Sequence, residues 1–82
     1  MAIFYFHLCN GSDVLLDPEG RELMSDMVAA AALREARAII AADARAGAID
    51  LDQNIQVQDA AGITVHIIAL EDAVSIAHRR AA

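Results

Sequence analysis

The chain has 82 residues, a formal net charge of −6 and a pI near 4.7. We expect one small domain over residues 1–82, since a chain of this length buries only about 60% of its unfolded surface. Its acidic balance disfavours nucleic acids, whose phosphates repel a negative surface. A single cysteine excludes an intrachain disulfide and no apolar run is long enough to span a bilayer, so we expect a cytoplasmic protein without membrane association.

The first predicted element contains all three aromatic residues of the chain, Phe4, Tyr5 and Phe6, with His7 directly after them. A strand over residues 3–8 would send alternate side chains to opposite faces. Phe4 and Phe6 then belong to the core, while Tyr5 and His7 lie on the other face.

A hairpin is predicted next, because Asn10-Gly11 is a strong signal for a tight turn. The return strand covers residues 14–16. We favour a three-residue loop over a two-residue loop, because it pairs Leu8 with Val14 and keeps the apolar side chains on one face.

A long helix follows the turn at residues 17–20. Ser25 is the predicted N-cap, and Gly47 ends the helix after Ala46. The opposite, solvent side of this helix is mostly alanine and includes Ala31. One broad apolar face is expected to cover the sheet; its residues are Val28, Ala29, Ala32, Leu33, Ala36, Ile39 and Ile40.

A second hairpin is predicted around the turn at residues 59–62. The alternation of apolar and polar residues favours a register with Val57 opposite Val65 and Gln56 opposite His66. A short helix over residues 73–78 completes the chain. The predicted fold is therefore α+β, an antiparallel sheet of about four strands in the order β-β-α-β-β, with the long helix packed on one face.

The outer face of this sheet carries the polar candidates. Two histidines and a tyrosine on one face suit metal binding or acid–base chemistry, but no third ligand stands at a recognisable spacing. We therefore predict no catalytic residue, no cofactor and no metal site. The residues assigned to this face are Tyr5, His7, Gln56, Gln58, Thr64 and His66.

Other candidate residues have simpler explanations than a site. A stacking platform for single-stranded nucleic acid needs several aromatics beside a basic groove, and only Tyr5 is available. Cys9 is expected to be structural, although His7 lies two residues away. The carboxylates do not match the spacing of a calcium loop, and the helix arginines are expected to be solvated; these residues are Asp13, Asp17, Glu19, Arg34, Arg37 and Arg45.

Several short motifs together resemble a family of short bacterial proteins catalogued only as a domain of unknown function. The resemblance covers nearly the whole chain. It implies a stand-alone, single-domain cytosolic bacterial protein, and it brings no catalytic residue, cofactor or substrate. The motifs are Tyr5-Phe6-His7, Asp17-x-Glu19-Gly20-x-Glu22-Leu23 before an alanine-rich helix, Gly47, the strand of residues 55–59, Gly62 and Asp72-Ala73-Val74.

The expected function is that of a non-enzymatic interaction module that self-associates as a homodimer. Apolar area exposed on so small a domain usually marks a contact. One alternative is a regulatory partner of another protein, of antitoxin type, since an acidic surface suits a basic partner. Another is a weak metal site formed by His7 and His66. The predicted interface consists of Ile3, Tyr5, His7, His66 and Ile68.

Overall fold

The computed structural model describes residues 1–77 and shows an α+β fold. Its five strands form an open antiparallel sheet, and its one long helix packs against that sheet. The elements in chain order are β1 Ala2–Asn10, β2 Asp13–Leu15, β3 Arg21–Leu23, α1 Val28–Ala46, β4 Asn54–Gln58 and β5 Thr64–Ala69, with 3₁₀ turns at Ser25–Met27 and Leu70–Ala73.

The first strand is the centre of the sheet. The strand order is β2-β1-β4-β5, and β3 pairs with the first half of β1 beyond the end of β2. The two short strands β2 and β3 therefore run in line along one side of β1, while β4 occupies the other side. Sequence reasoning did not predict β3.

The first hairpin has a different register from the predicted one. Leu8 lies opposite Leu15, and Cys9 lies opposite Val14, because the turn contains only Gly11 and Ser12. The predicted pairing of Leu8 with Val14 is therefore wrong by one residue. As a consequence Leu15 shares the face of Leu8, and Val14 points to the opposite face.

The second hairpin agrees with the prediction only near its turn. The Asp59 N–H donates to the Ile63 carbonyl oxygen at 3.0 Å, as expected for that register. A bulge then shifts the pairing, so that Val57 lies opposite His66 and not Val65. The predicted pairs beyond the turn are wrong, since one extra residue exchanges the faces of all the following side chains.

The helix packs on one face of the sheet, mainly over β4 and β5. Ala32 and Ala36 have no exposed surface, and these small side chains let the helix approach the strands closely. The predicted inward face is largely confirmed, except that Ala29 is exposed and Ala31, assigned to the solvent side, is buried. The buried cluster comprises Phe4, Phe6, Val28, Ala31, Ala32, Ala36, Ile40, Ile55, Val57, Leu70 and Ala73.

The ends of the helical segments also differ from the prediction. Ser25 does not cap α1, because it is the first residue of a 3₁₀ turn that precedes the helix, whereas Gly47 ends α1 as predicted. The last helix is a 3₁₀ turn at Leu70–Ala73 rather than an α-helix over residues 73–78. The Arg37 Nε–H donates to the Ala73 carbonyl oxygen at 2.9 Å and ties this turn to α1. The predicted helix end at His78 lies outside the described residues.

Candidate interaction surfaces

The five predicted interface residues do not share one surface. Ile3, Tyr5 and His7 alternate with the buried Phe4 and Phe6, so they lie on the face away from α1. Beyond the bulge His66 and Ile68 turn to the other face, where they lie opposite the core residues Val57 and Ile55. Ile68 packs against the core, and His66 lines a depression near Phe4 and Val28.

The two histidines are therefore separated by the sheet. His7 lies on its outer face, and His66 lies on the helix side, contrary to the predicted placement of His66. Within residues 1–77 no group of three or more His, Cys, Asp or Glu side chains is arranged to hold a metal ion. Because His7 and His66 lie on opposite faces of the sheet, they do not form the shared pair of ligands that the metal hypothesis requires.

The imidazole of His7 contacts two neighbouring residues on the outer face of the sheet. The Asp17 N–H donates to His7 Nδ1 at 3.1 Å. The ring also stacks on Tyr5, with the ring centroids 6.3 Å apart and an angle of 12° between the planes. These two contacts make His7 and Tyr5 part of the attachment between β1 and the turn at residues 17–20.

The carboxylate of Asp17 completes that attachment. Its Oδ2 accepts the Phe6 N–H at 3.1 Å, and its Oδ1 accepts the N–H groups of Glu19 at 3.3 Å and Gly20 at 3.1 Å. Partial burial would raise the pKa of Asp17, but these three backbone donors and the charge of Arg21 outweigh it, so the pKa lies below the ordinary value of 3.8. The sequence indicated the turn role of Asp17 and not its reach to Phe6.

The free edge of β5 is the first unpartnered surface. Among residues 1–77 no strand pairs with its outer side. The Leu70 N–H points toward β4 and donates to the Gln53 carbonyl oxygen. Because backbone direction alternates along a strand, the N–H and C=O groups of Ala69 and Ile67 point away from β4. The segment of residues 63–69 contains no Asp, Glu, Lys or Arg, and three of its four large apolar side chains are well exposed: Ile63 62%, Val65 48% and Ile67 57%.

The second unpartnered surface is a cleft on the helix side of the sheet, between α1 and β2. It has a volume of about 320 Å³. Arg21 crosses it, with its guanidinium carbon 4.5 Å from the centre of the Phe6 ring and its Nη2 3.1 Å from Glu35 Oε2. The apolar lining consists of Phe6, Leu8, Leu15, Leu16, Pro18, Ile39 and Ile55.

The remaining candidates have structural surroundings. Cys9 is buried and lies between Val14 and Asn54 in neighbouring strands, which fits the expected structural role. Asn54 Oδ1 is buried without a hydrogen-bond partner among the described residues. Arg37 is exposed, as are Arg34 and Arg45, and its Nε–H also donates to the backbone of the last 3₁₀ turn.

The match to a known family agrees with this architecture. The family model described as "Domain of unknown function (DUF6894)" matches residues 3–71, which include α1 and all five strands except the first residue of β1. The chain belongs to the DUF6894 family. No curated protein and no solved structure matches it. Within the described part of this DUF6894 chain, no helix has the length and apolar character needed to cross a membrane.

Proposed function

We propose that this DUF6894 protein is a non-enzymatic interaction module that self-associates as a symmetric homodimer through the free edge of β5. The observation that carries the proposal is the uncharged, exposed segment of residues 63–69 along that edge. Most proteins protect such an edge with charged residues, proline or a covering element, because unpaired backbone groups form a template for another strand. Proline and charge are both absent from this segment.

A second copy of the chain fits this edge in both geometry and charge. Two β5 strands related by a twofold axis pair in antiparallel fashion, and the backbone groups of Ile67 and Ala69 find partners across the axis. Each chain carries a net charge of −6, but the paired segment is neutral, so the contact places no like charges opposite each other.

Symmetry favours a dimer over a filament. Pairing β5 with β5 consumes the same edge on both copies and leaves only the opposite ends of the sheet, where β2 is three residues long. The joined sheet would carry both α1 helices on one face. A domain with so small a core gains stability from this additional burial.

Light scattering on the intact chain tests the proposal at micromolar concentrations. We expect the wild type at twice the chain mass of 8.7 kDa and Ile67→Lys at the monomer mass. Ile76→Lys is the matched control, because Ile76 is 70% exposed and lies outside the sheet. It should remain a dimer.

Two results would contradict this interface. A wild type at the monomer mass throughout would exclude self-association in this range. If Tyr5→Glu and not Ile67→Lys gave a monomer, the outer face of the sheet would be the contact in place of the β5 edge. Circular dichroism confirms that each variant remains folded.

A further inference from the structure

The helix side of the sheet is only partly covered. α1 packs mainly over β4 and β5, and Phe4 and Phe6 of β1 are buried in the same core, so the uncovered part of this face is formed by Leu8 and β2. Leu15 is 70% exposed and Leu16 is 67% exposed, and both line the cleft with the half-buried Leu8 and Ile39. We call this cleft and its Leu15–Leu16 rim the open half-face.

The size of the open half-face matches one α-helix. Neighbouring strands lie about 4.8 Å apart, so β1 and β2 together are about 10 Å wide. An α-helix with its side chains has a diameter of about 10–12 Å, and packed helices lie about 8–10 Å apart. A second helix would therefore lie beside α1 over Leu8 and β2, next to the buried side chains of Phe6 and Ile55.

The charges around the open half-face are mostly negative. Asp17 and Glu35 line the cleft, and Asp13 lies beside Leu8 and Leu15 in the adjoining depression. Among residues 1–77 the one guanidinium that lines the cleft, that of Arg21, is paired with Glu35. The pKa of Asp17 lies below the ordinary value of 3.8, so its carboxylate is ionised near neutral pH. This excess of carboxylates complements a cationic partner.

We propose that the open half-face binds a basic amphipathic α-helix of another protein. Leucine-sized side chains of that helix would pack on Leu8, Leu15 and Ile39, and its Lys or Arg side chains would reach Asp17 and Glu35. A second copy of this chain fits poorly. The exposed side of its α1 offers mainly alanine between the arginines, which leaves a cleft of about 320 Å³ unfilled. The proposal does not depend on the β5 dimer.

A fluorescence titration tests the proposal with a synthetic amphipathic helix of leucine and lysine that carries one tryptophan. The protein has no tryptophan, so the signal comes from the peptide alone. We expect saturable binding that the double variant Leu15→Ser, Leu16→Ser weakens by about tenfold or more, since both lost side chains contact the ligand. Val14→Ser is the matched control, because Val14 lies on the same strand but on the opposite face, and it should bind as the wild type does.

A second peptide with glutamate in place of lysine measures the charge preference. We expect it to bind at least about tenfold more weakly than the basic peptide. Equal binding of the two peptides, or equal binding of the basic peptide by the double variant, would overturn the proposal.

Light scattering on the same variants separates this surface from the dimer contact. If the Leu15, Leu16 double variant became monomeric while Val14→Ser stayed dimeric, a second copy would be the occupant and the proposal would be wrong. Ile67→Lys should bind the basic peptide with unchanged affinity. Loss of the dimer with intact peptide binding would therefore support the open half-face independently of the β5 edge.

Discussion

Gly20 lies against the first strand in a conformation that side chains rarely adopt. Its φ is +67°, and a Cβ at this position would lie 2.8 Å from Ile3 Cγ2 and 3.0 Å from both the Phe4 carbonyl oxygen and Tyr5 Cε1. Gly11 has a similar φ of +60°, but nothing lies within 4 Å of its added Cβ. A side chain at Gly11 would therefore add only backbone strain, whereas a side chain at Gly20 would add both strain and crowding.

We predict that Gly20→Ala lowers the free energy of unfolding by about 2–4 kcal/mol, since left-handed strain of about 1–2 kcal/mol adds to the crowding against β1. Gly11→Ala should lower the free energy of unfolding by the strain alone, about 1–2 kcal/mol. Urea denaturation of both variants measures the difference. Equal losses would show that the turn moves away from β1 without penalty.

Some residue roles were predictable and others were not. The turn signals at Asn10-Gly11 and at Pro18 identified the reversal after β1 and the break after β2, because those residue types favour turn geometry locally. The bond from the Phe6 N–H to Asp17 was not predictable. It links residues 11 positions apart and depends on where β2 stops, which local preferences do not determine.

At the scale of elements, the side of β1 that faces away from β4 is paired by two separate short strands, of which only the first was predicted. β2 ends at Leu15 and β3 begins at Arg21, so the backbone between them does not pair with the middle of β1. The side chain of Asp17 supplies the missing acceptor for the Phe6 N–H. A carboxylate therefore replaces part of the strand pairing.

This replacement predicts a pH-dependent stability. Because the pKa of Asp17 in the folded chain lies below its ordinary value of 3.8, its stabilisation is complete above about pH 5 and is lost as the pH falls through the folded pKa. Asp17→Asn should cost about 1–2 kcal/mol at neutral pH, and its difference from the wild type should narrow below pH 3.8. Urea denaturation midpoints at each pH measure the difference in stability between Asp17→Asn and the wild type.

The exposed carboxylate of Asp13 on β2 provides the control. Asp13→Asn should change the free energy of unfolding by less than about 0.5 kcal/mol. A gap between Asp17→Asn and the wild type that stayed constant from neutral to acidic pH would show that the ionised carboxylate contributes nothing.

The bulge in the second hairpin shows why strand register is harder to predict than strand existence. The strand Ile55–Gln58 alternates cleanly, and its inward Ile55 and Val57 are both confirmed as core. In β5, however, large apolar residues occupy both sets of alternating positions, with Val65 and Ile67 in one set and Ile68 in the other. Either register buries large apolar residues, so the hydrophobic pattern alone does not distinguish them.

At the scale of the whole molecule, the order of strands creates both unpartnered surfaces. β5 ends the sheet on one side and β2 on the other, and α1 lies nearer to β5. The sequence indicated an antiparallel sheet with one covering helix, since periodicity reports which face each residue joins. Periodicity does not indicate which strands are neighbours, so the free edge and the open half-face could be identified only from the structure.

A dimer of this kind makes thermal stability depend on concentration. Unfolding a homodimer releases two chains, so we predict that the Tm of the wild type rises as protein concentration increases. Ile67→Lys should unfold at a lower Tm that does not change with concentration, while Ile76→Lys should follow the wild type. Differential scanning calorimetry over a dilution series makes the comparison, and a wild-type Tm that stayed constant would contradict the β5 dimer.

The central position of β1 also has a consequence for the order of synthesis. Tyr5 pairs with Gln58, which leaves the ribosome about 50 residues later, or on the order of several seconds at usual elongation rates. During that interval β1 has only the short strands β2 and β3 as partners, and the aromatic side chains of Phe4 and Phe6 have no β4 to pack beside. A nascent chain interrupted before Asn54 therefore exposes an aromatic strand with one whole edge still unpaired.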